Sequence, residues 1–420
     1  MKFIQEKPKA GVICNYGMID HFRSSYISLD FILPLSAENA TGMSLLAGVL
    51  SRGSENFPSM DVISRYLAEN YGASFSINAG KAGEMEILTF ATRFLDNECA
   101  IDGEDIRAAI LTLLQEIIFR PLVDKDGFFE EYVAQEKQNL ADKITGLFND
   151  KRLYALEQCK ALMCADEPFG VCELGDLETL KTFNRQTLYR FFQNMVNNAQ
   201  IVITYVGKEE GDFLNSLADG FAERASSVPE AILRDAPPKV QEIIDPMKLN
   251  QSKLNLGFRL GPEAQKNGAA CRLFNVLYGG SANSKLFMNV RERLSLCYYC
   301  SSAMDRFKNV MFVASGVESE KYEQARAEIE AQLKAVAIGD FTDDEFQSAK
   351  SYLIDSVRGM LDSESALAAS IISSTLRGEM KTIEQEIKEI EAVSREDLIA
   401  VAKEIQLDTV YFLKGVQNGE

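Results

Sequence analysis

Val49-Leu50-Ser51-Arg52-Gly53-Ser54 returns 227 residues later as Val276-Leu277-Tyr278-Gly279-Gly280-Ser281, and the order of the surrounding elements returns with it. Each copy follows a segment with an apolar residue at every second position, Ser25 to Ile32 in one half and Ser252 to Phe258 in the other. Such alternation marks a strand with one buried face. Each copy is followed by a helix, further strands and a long helical region. Each half closes on a β-rich run ending in glycine, Ile201 to Gly207 and Thr409 to Gly415. A chain of 420 residues is in any case too long for one compact core. The expectation is two homologous domains, 1–224 and 249–420. Between them, 225–248 carries Ser226-Ser227, Pro229, Pro237-Pro238 and Pro246 with few apolar positions, the composition of a linker.

Local signals fill in each half. Ser59 can cap a helix whose Ile63, Tyr66 and Leu67 form an apolar face that stops at Gly72. Strands are expected at Ala73 to Ala79 and Met85 to Arg93, an apolar helix at Ile106 to Phe119, and one long helical run from Phe128 to about Ala161. The second half repeats the plan with strands near Cys297 to Ala303 and Val310 to Val317, then a helix from Lys321 to Val336. Thr342 and Glu345 supply a capping box for another. Adjacent strands that can pair as hairpins, mixed with long helices, favour an α+β fold over a doubly wound parallel sheet.

Charge narrows the partners. The 62 acidic against 44 basic residues give −18, which repels phosphate backbones and anionic membranes and attracts basic peptides. No apolar run reaches the roughly 20 residues of a membrane span, and Met1 to Lys7 turns charged too soon for a signal peptide. These features lead us to expect a cytoplasmic protein with neither nucleic acid nor membrane as partner. Its eight cysteines are then expected to stay reduced.

Few residues offer chemistry of their own. The single histidine, His21, has no nucleophile partner or glycine elbow nearby and reads as a surface residue. Cys297-x-x-Cys300 lies in a strand-like run, where residues three apart point to opposite faces, and no second pair completes a zinc site. Asp124-Lys125-Asp126-Gly127 lacks the later ligands of a calcium loop. Gly279-Gly280-Ser281 lacks the lysine of a phosphate loop.

One stretch is more specific. Gly279-Gly280-Ser281-Ala282-Asn283-Ser284-Lys285-Leu286-Phe287 runs into Val290-Arg291-Glu292-Arg293-Leu294, with Tyr298 seven residues after Arg291. This resembles the C-terminal half of the pitrilysin-type (M16) zinc peptidases. Glu167-Pro168-Phe169-Gly170 with Gly175 resembles that family's proline-tyrosine-glycine segment, with Phe169 in place of tyrosine. The resemblance implies two M16-like α+β domains per chain and two chains closing like a clamshell, each chain being half of it. It also implies that Arg291 and Tyr298 bind substrate.

In the first half, Leu45 to Leu50 leading into Arg52-Gly53-Ser54 resembles the helix and turn where the family carries H-x-x-E-H. Counting back from Gly53, the histidine positions fall on Ser44 and Gly48, and the general-base position falls on Ala47. The third ligand falls on Asp142 or Lys143. One carboxylate cannot hold a catalytic zinc, so no metal or other cofactor is expected here.

The chain therefore resembles the non-catalytic member of bacterial two-gene M16 pairs. A zinc-bearing partner would supply the metal for peptide processing, while this chain supplies chamber wall, Arg291 and Tyr298. The alternatives are a homodimeric peptide-binding or structural scaffold of M16 fold, and, behind it, an autonomous enzyme of unrelated chemistry.

Overall fold

The computed structural model describes residues 2–209, 211–225 and 228–416. Ser226 and Ser227 of the expected linker lie outside the described residues. The chain forms two compact units, neither contiguous in sequence. The first comprises Met1–Thr145, Val171–Glu230 and Met360–Thr382, and the second Gly146–Gly170, Ala231–Gly359 and Ile383–Glu420.

The first unit is built on a six-stranded sheet. Its strands are β1 (Lys2–Lys9), β2 (Val12–Met18), β3 (Ser24–Pro34), β4 (Ser74–Ala82), β5 (Met85–Leu95) and β8 (Gln200–Gly207), in the order β1-β2-β8-β3-β5-β4. A separate two-stranded hairpin joins β6 (Val123–Asp124) to β7 (Gly127–Phe128). The second unit's sheet contains β9 (Gln241–Lys248), β10 (Ser252–Arg259), β11 (Cys297–Asp305), β12 (Val310–Val317) and β13 (Gln406–Val416), in the order β11-β12-β10-β13-β9.

Read from the other edge, the second order is β9-β13-β10-β12-β11, which reproduces β2-β8-β3-β5-β4. The strand directions agree as well: β2–β8 and β9–β13 are the parallel pairs, and the remaining pairs within these five-strand sets are antiparallel. This is the duplication heard in the sequence. It also corrects the linker, because Gln241–Lys248 is an ordered strand and the counterpart of β2. Its alternating exposure escaped a composition reading because Pro246 and the charged residues lie on an edge strand, where proline is tolerated.

Helices cover the sheets where the patterning directs them. Helix α1 (Ala37–Leu50) starts on Ser36, whose side chain accepts the Asn39 amide at 3.1 Å, and buries Met43, Leu45, Leu46, Val49 and Leu50. Helix α2 (Met60–Glu69) is capped by Ser59 as expected, and α3 (Ile106–Phe119) by Asp105.

The expected single helix from Phe128 to Ala161 is two, α4 (Glu130–Leu147) and α5 (Lys151–Met163). Asp150 interrupts it by accepting the Arg152 and Leu153 amides, each at 3.0 Å, which makes it an N-cap. The break matters because the compact units part there. Ala155, Cys159 and Met163 of α5, with Cys164 and Phe169, pack on Val310, Phe312, Tyr411 and Leu413 of the second sheet. Gly257 permits this approach, since a Cβ there would lie 2.5 Å from Met163 Sδ. In exchange, the helix Glu364–Arg377 packs on β8, β3 and β2 of the first sheet, where Asn15 donates to Thr375 Oγ1 at 3.1 Å.

A buried ionic cluster fastens 146–170 within the second unit. Arg259 donates to Glu167 Oε1 at 2.6 Å and Oε2 at 3.1 Å, to Asp408 Oδ2 at 2.8 Å and to the Met163 carbonyl at 2.9 Å. Lys308, with no exposed side-chain surface, pairs with the same Glu167.

Candidate functional site

The first unit places the three positions expected from the sequence, Ser44, Ala47 and Gly48, on α1. Ser44 donates its hydroxyl to the Glu173 carbonyl at 3.1 Å, Ala47 offers a methyl group to the core, and Gly48 offers no side chain. The segment that holds Ser44 is clamped against α1. Thr41 Oγ1 accepts the Asp176 amide at 3.2 Å, and Gly175, at φ +73, lies so close that a Cβ would meet Thr41 Oγ1 at 1.8 Å. Glycine is required there on both counts.

The acidic residue facing Gly48 is Glu136. A Cβ on Gly48 would meet Glu136 Oε2 at 2.5 Å. The sequence expectation for the third position is Asp142 or Lys143. Both are exposed, and Asp142 is engaged instead by Gln138 on its own helix at 2.8 Å.

Glu136 is itself neutralised. Arg52 donates to its Oε1 through Nε at 2.7 Å and through Nη2, while Asn139 donates to Oε2 at 3.0 Å. The zinc that the family implies does not fit these residues: the donors are a tied hydroxyl, a methyl group, a hydrogen atom and a carboxylate already paired. Among the described residues, no group of three His, Cys, Asp or Glu side chains could hold a metal ion. Arg52→Met would strand the half-buried Glu136 carboxylate and is expected to cost about 1.5–3 kcal/mol. A urea titration against wild type measures it, and an unchanged midpoint would mean that the pair holds nothing.

A second carboxyl nearby escaped the sequence reading. Glu86 on β5 is fully buried, and among the described residues neither of its oxygens has a hydrogen-bond partner. Burial first, then the Glu173 charge, push its pKa up to about 9 against the opposing pull of Lys81. The clue was available, since period-2 counting puts Glu86 on the same face as Leu88 and Phe90.

The pH consequence has a definite sign. Below the ordinary glutamate value of 4.5 both folded and unfolded chains hold this proton. As the pH climbs from there towards about 9, the unfolded chain releases it while the folded chain retains it, so stability falls. Glu86→Gln removes that penalty. It should match wild type near pH 4 and exceed it by on the order of 2–3 kcal/mol near pH 7, as read by urea titrations at the two pH values. Equal stability at both would show that Glu86 ionises freely.

The second unit presents the other pair. Leu286–Arg293 is wound as a π-helix, a geometry frequent at functional sites. It ends through Ser295 at φ +48 just before β11. Arg291 stands on this turn with its guanidinium 4.5 Å from the Phe287 ring centroid and a loose contact to Glu292 at 3.5 Å, its side chain 40% exposed. Tyr298 is 60% exposed, so it does not pack into the sheet. A cation and a phenol thus face solvent on one unit, both able to donate to a peptide oxygen.

Tyr298 is exposed because β11 is bulged. Cys297 pairs with Val317 and Tyr299 with Gly316, which leaves Tyr298 as the extra residue. The bulge also overturns the expectation that Cys297 and Cys300 point to opposite faces, since one inserted residue restores them to the same one.

The remaining candidates are ordinary. His21 is exposed, with Nε2 2.8 Å from the Leu361 carbonyl. Asp124 accepts the Asp126 amide at 2.8 Å and pairs with Arg185. Phe169 is buried and stacked on Phe312, at a centroid distance of 6.4 Å. Among the described residues, no helix is long and apolar enough to cross a membrane.

Comparison with known proteins agrees with this geometry. The profile described as the peptidase M16 inactive domain matches residues 182–353. The chain is 30% identical to a Bacillus subtilis protein named probable inactive metalloprotease YmfF, over the full length of both. A conserved protein from Enterococcus faecalis superimposes with a TM-score of 0.91 at 27% identity, again covering both chains completely. The crystal structure of a peptidase M16 inactive domain from Pseudomonas fluorescens, 16% identical, shares the fold with a TM-score of 0.82 over both full lengths. The chain belongs to the M16 peptidase family.

Proposed function

We propose that this chain is the non-catalytic subunit of a heterodimeric M16-type zinc peptidase acting on peptides. The observation that carries this is a division of labour within one chain. The motif positions on α1 have no metal donors and their neighbouring carboxylate is paired to Arg52, whereas Arg291 and Tyr298 remain exposed and uncommitted to the core. In a peptidase that has merely decayed into a scaffold, an exposed arginine and phenol at the family's seven-residue spacing would have no use.

In the complex, zinc and the water it activates belong to the partner subunit. This chain contributes binding. The Arg291 guanidinium donates to a backbone carbonyl of the peptide, and the Tyr298 phenol donates to an oxygen on which charge develops during cleavage. The net charge of −18 favours basic peptides. The complex belongs in the cytoplasm, a reducing compartment that suits eight cysteines, all free in the structure.

Metal analysis and molar mass test the assembly. The purified chain should carry no stoichiometric zinc, and mixing with an H-x-x-E-H-bearing M16 chain from the same genome should give a one-to-one complex. A homodimer that ignores every such chain would establish the scaffold instead.

A further inference from the structure

We propose that Cys297 and Cys300 form a redox-active dithiol, a modification site at which a reversible disulfide closes around Tyr298. This goes beyond the peptidase-subunit role and does not rest on it. Three features of the structure support it.

The first is placement. The bulge at Tyr298 brings both cysteine side chains to one side of β11, with Ser315 directly across from Cys300 in the register. Ser315 is fixed by donating to the Tyr299 carbonyl at 2.9 Å. The second is asymmetry of access. Cys297 is partly exposed, as an attacking thiol must be, while Cys300 is 4% exposed and shielded from outside reagents. The third is polarity. The neighbouring Cys300 side chain, then Ser315 and the Arg291 charge, hold the Cys297 thiol below its ordinary value despite the opposing effect of burial. A thiolate is the nucleophile in exchange chemistry. Of the six other cysteines, Cys14, Cys159, Cys164 and Cys271 are buried, and burial raises the pKa of each.

The step balances with glutathione disulfide as oxidant. The Cys297 thiolate attacks one sulfur of the oxidant, forming a mixed disulfide and expelling one glutathione thiolate. Cys300 then gives up its proton and attacks the Cys297 sulfur, expelling the second glutathione. Two protein thiols become one disulfide, and one glutathione disulfide becomes two glutathione thiols.

Closure must deform the strand. Three extended residues span about 10 Å, whereas Cα atoms joined by a disulfide lie within about 7 Å. Oxidation therefore deepens the bulge and pulls the start of β11 away from Val317, which repositions Tyr298.

The test uses the full chain equilibrated in glutathione buffers of graded ratio, quenched by alkylation and mapped by peptide mass. We expect wild type to lose two hydrogens on the peptide carrying Cys297 and Cys300, reversibly on adding reduced glutathione. Cys300→Ser should stop at a glutathione adduct on Cys297, and Cys297→Ser should leave Cys300 unmodified. Hydrogen exchange at residues 297–299 should rise at least severalfold on oxidation. Both thiols remaining alkylatable while Cys99 or Cys172 oxidises would overturn the proposal. So would adduct formation on Cys300 in the Cys297→Ser variant, or a disulfide that leaves exchange at 297–299 unchanged.

Discussion

Replacing Glu167 with alanine is expected to destabilise the second unit by about 3–5 kcal/mol, the range for breaking a buried ion pair by removing one partner. The size follows from what stays behind. Arg259 and Lys308 are 6% and 0% exposed at their side chains, and both are paired with Glu167. Without it both buried cations lose a carboxylate, and Arg259 keeps Asp408. Desolvation alone would raise the Glu167 pKa, but the hydrogen bonds from Arg259 and Lys308 outweigh it and leave the carboxyl below its ordinary value. A depressed carboxylate contributes stability above its unfolded value and loses it as the pH falls through the folded one. The Glu167→Ala deficit should therefore be complete at neutral pH and shrink in acid. Urea titration followed by far-ultraviolet circular dichroism reads both, and a deficit under about 1 kcal/mol at pH 7 would contradict the accounting.

Arg291→Ala should lower peptide turnover by the reconstituted complex about ten- to hundredfold. A charge-assisted hydrogen bond contributes roughly 1.5–3 kcal/mol, and each 1.36 kcal/mol is about a factor of ten in rate. The two residues of the pair should separate in kinetics. Loss of a docking contact raises KM, whereas Tyr298→Phe, which removes a donor needed as charge develops, lowers kcat. Neither substitution should dissociate the complex, since the Arg291 side chain is 40% and Tyr298 60% exposed and neither supports the unit's core. Wild-type kinetics in both variants would remove the pair from the mechanism.

Much of this molecule was legible in its sequence, and the exceptions have physical causes. Alternation in Ser25 to Ile32 and Ser252 to Phe258 marked the central strands β3 and β10, because each buries a full row of side chains. The repeated order of elements foretold the matching sheets. The exchange of α5 for the helix Glu364–Arg377 was not legible, since an amphipathic face declares that it will be buried but not against which sheet. The break before α5 left only the short signal Asn149-Asp150, which a long charged helical pattern masked.

At the candidate site, the three positions counted from Gly53, Ser44, Ala47 and Gly48, fall on one helix, whereas the approach of Glu136 to Gly48 is set by packing and was not legible. The bulge at Tyr298 left no trace at all. Bulges of this kind often announce themselves with glycine, but here the inserted residue is one of two adjacent tyrosines. Strand periodicity then assigned the two cysteines to opposite faces, and the inference about their chemistry reversed once the register was known.

The most direct measurement of the central claim is cleavage of a basic peptide library by three samples: this chain alone, its zinc-bearing M16 partner alone, and the two mixed in equal amounts. We expect no turnover from the first, little from the second and full activity only from the mixture. Zinc-dependent cleavage by this chain unaided, with one metal ion bound per chain, would contradict the claim outright.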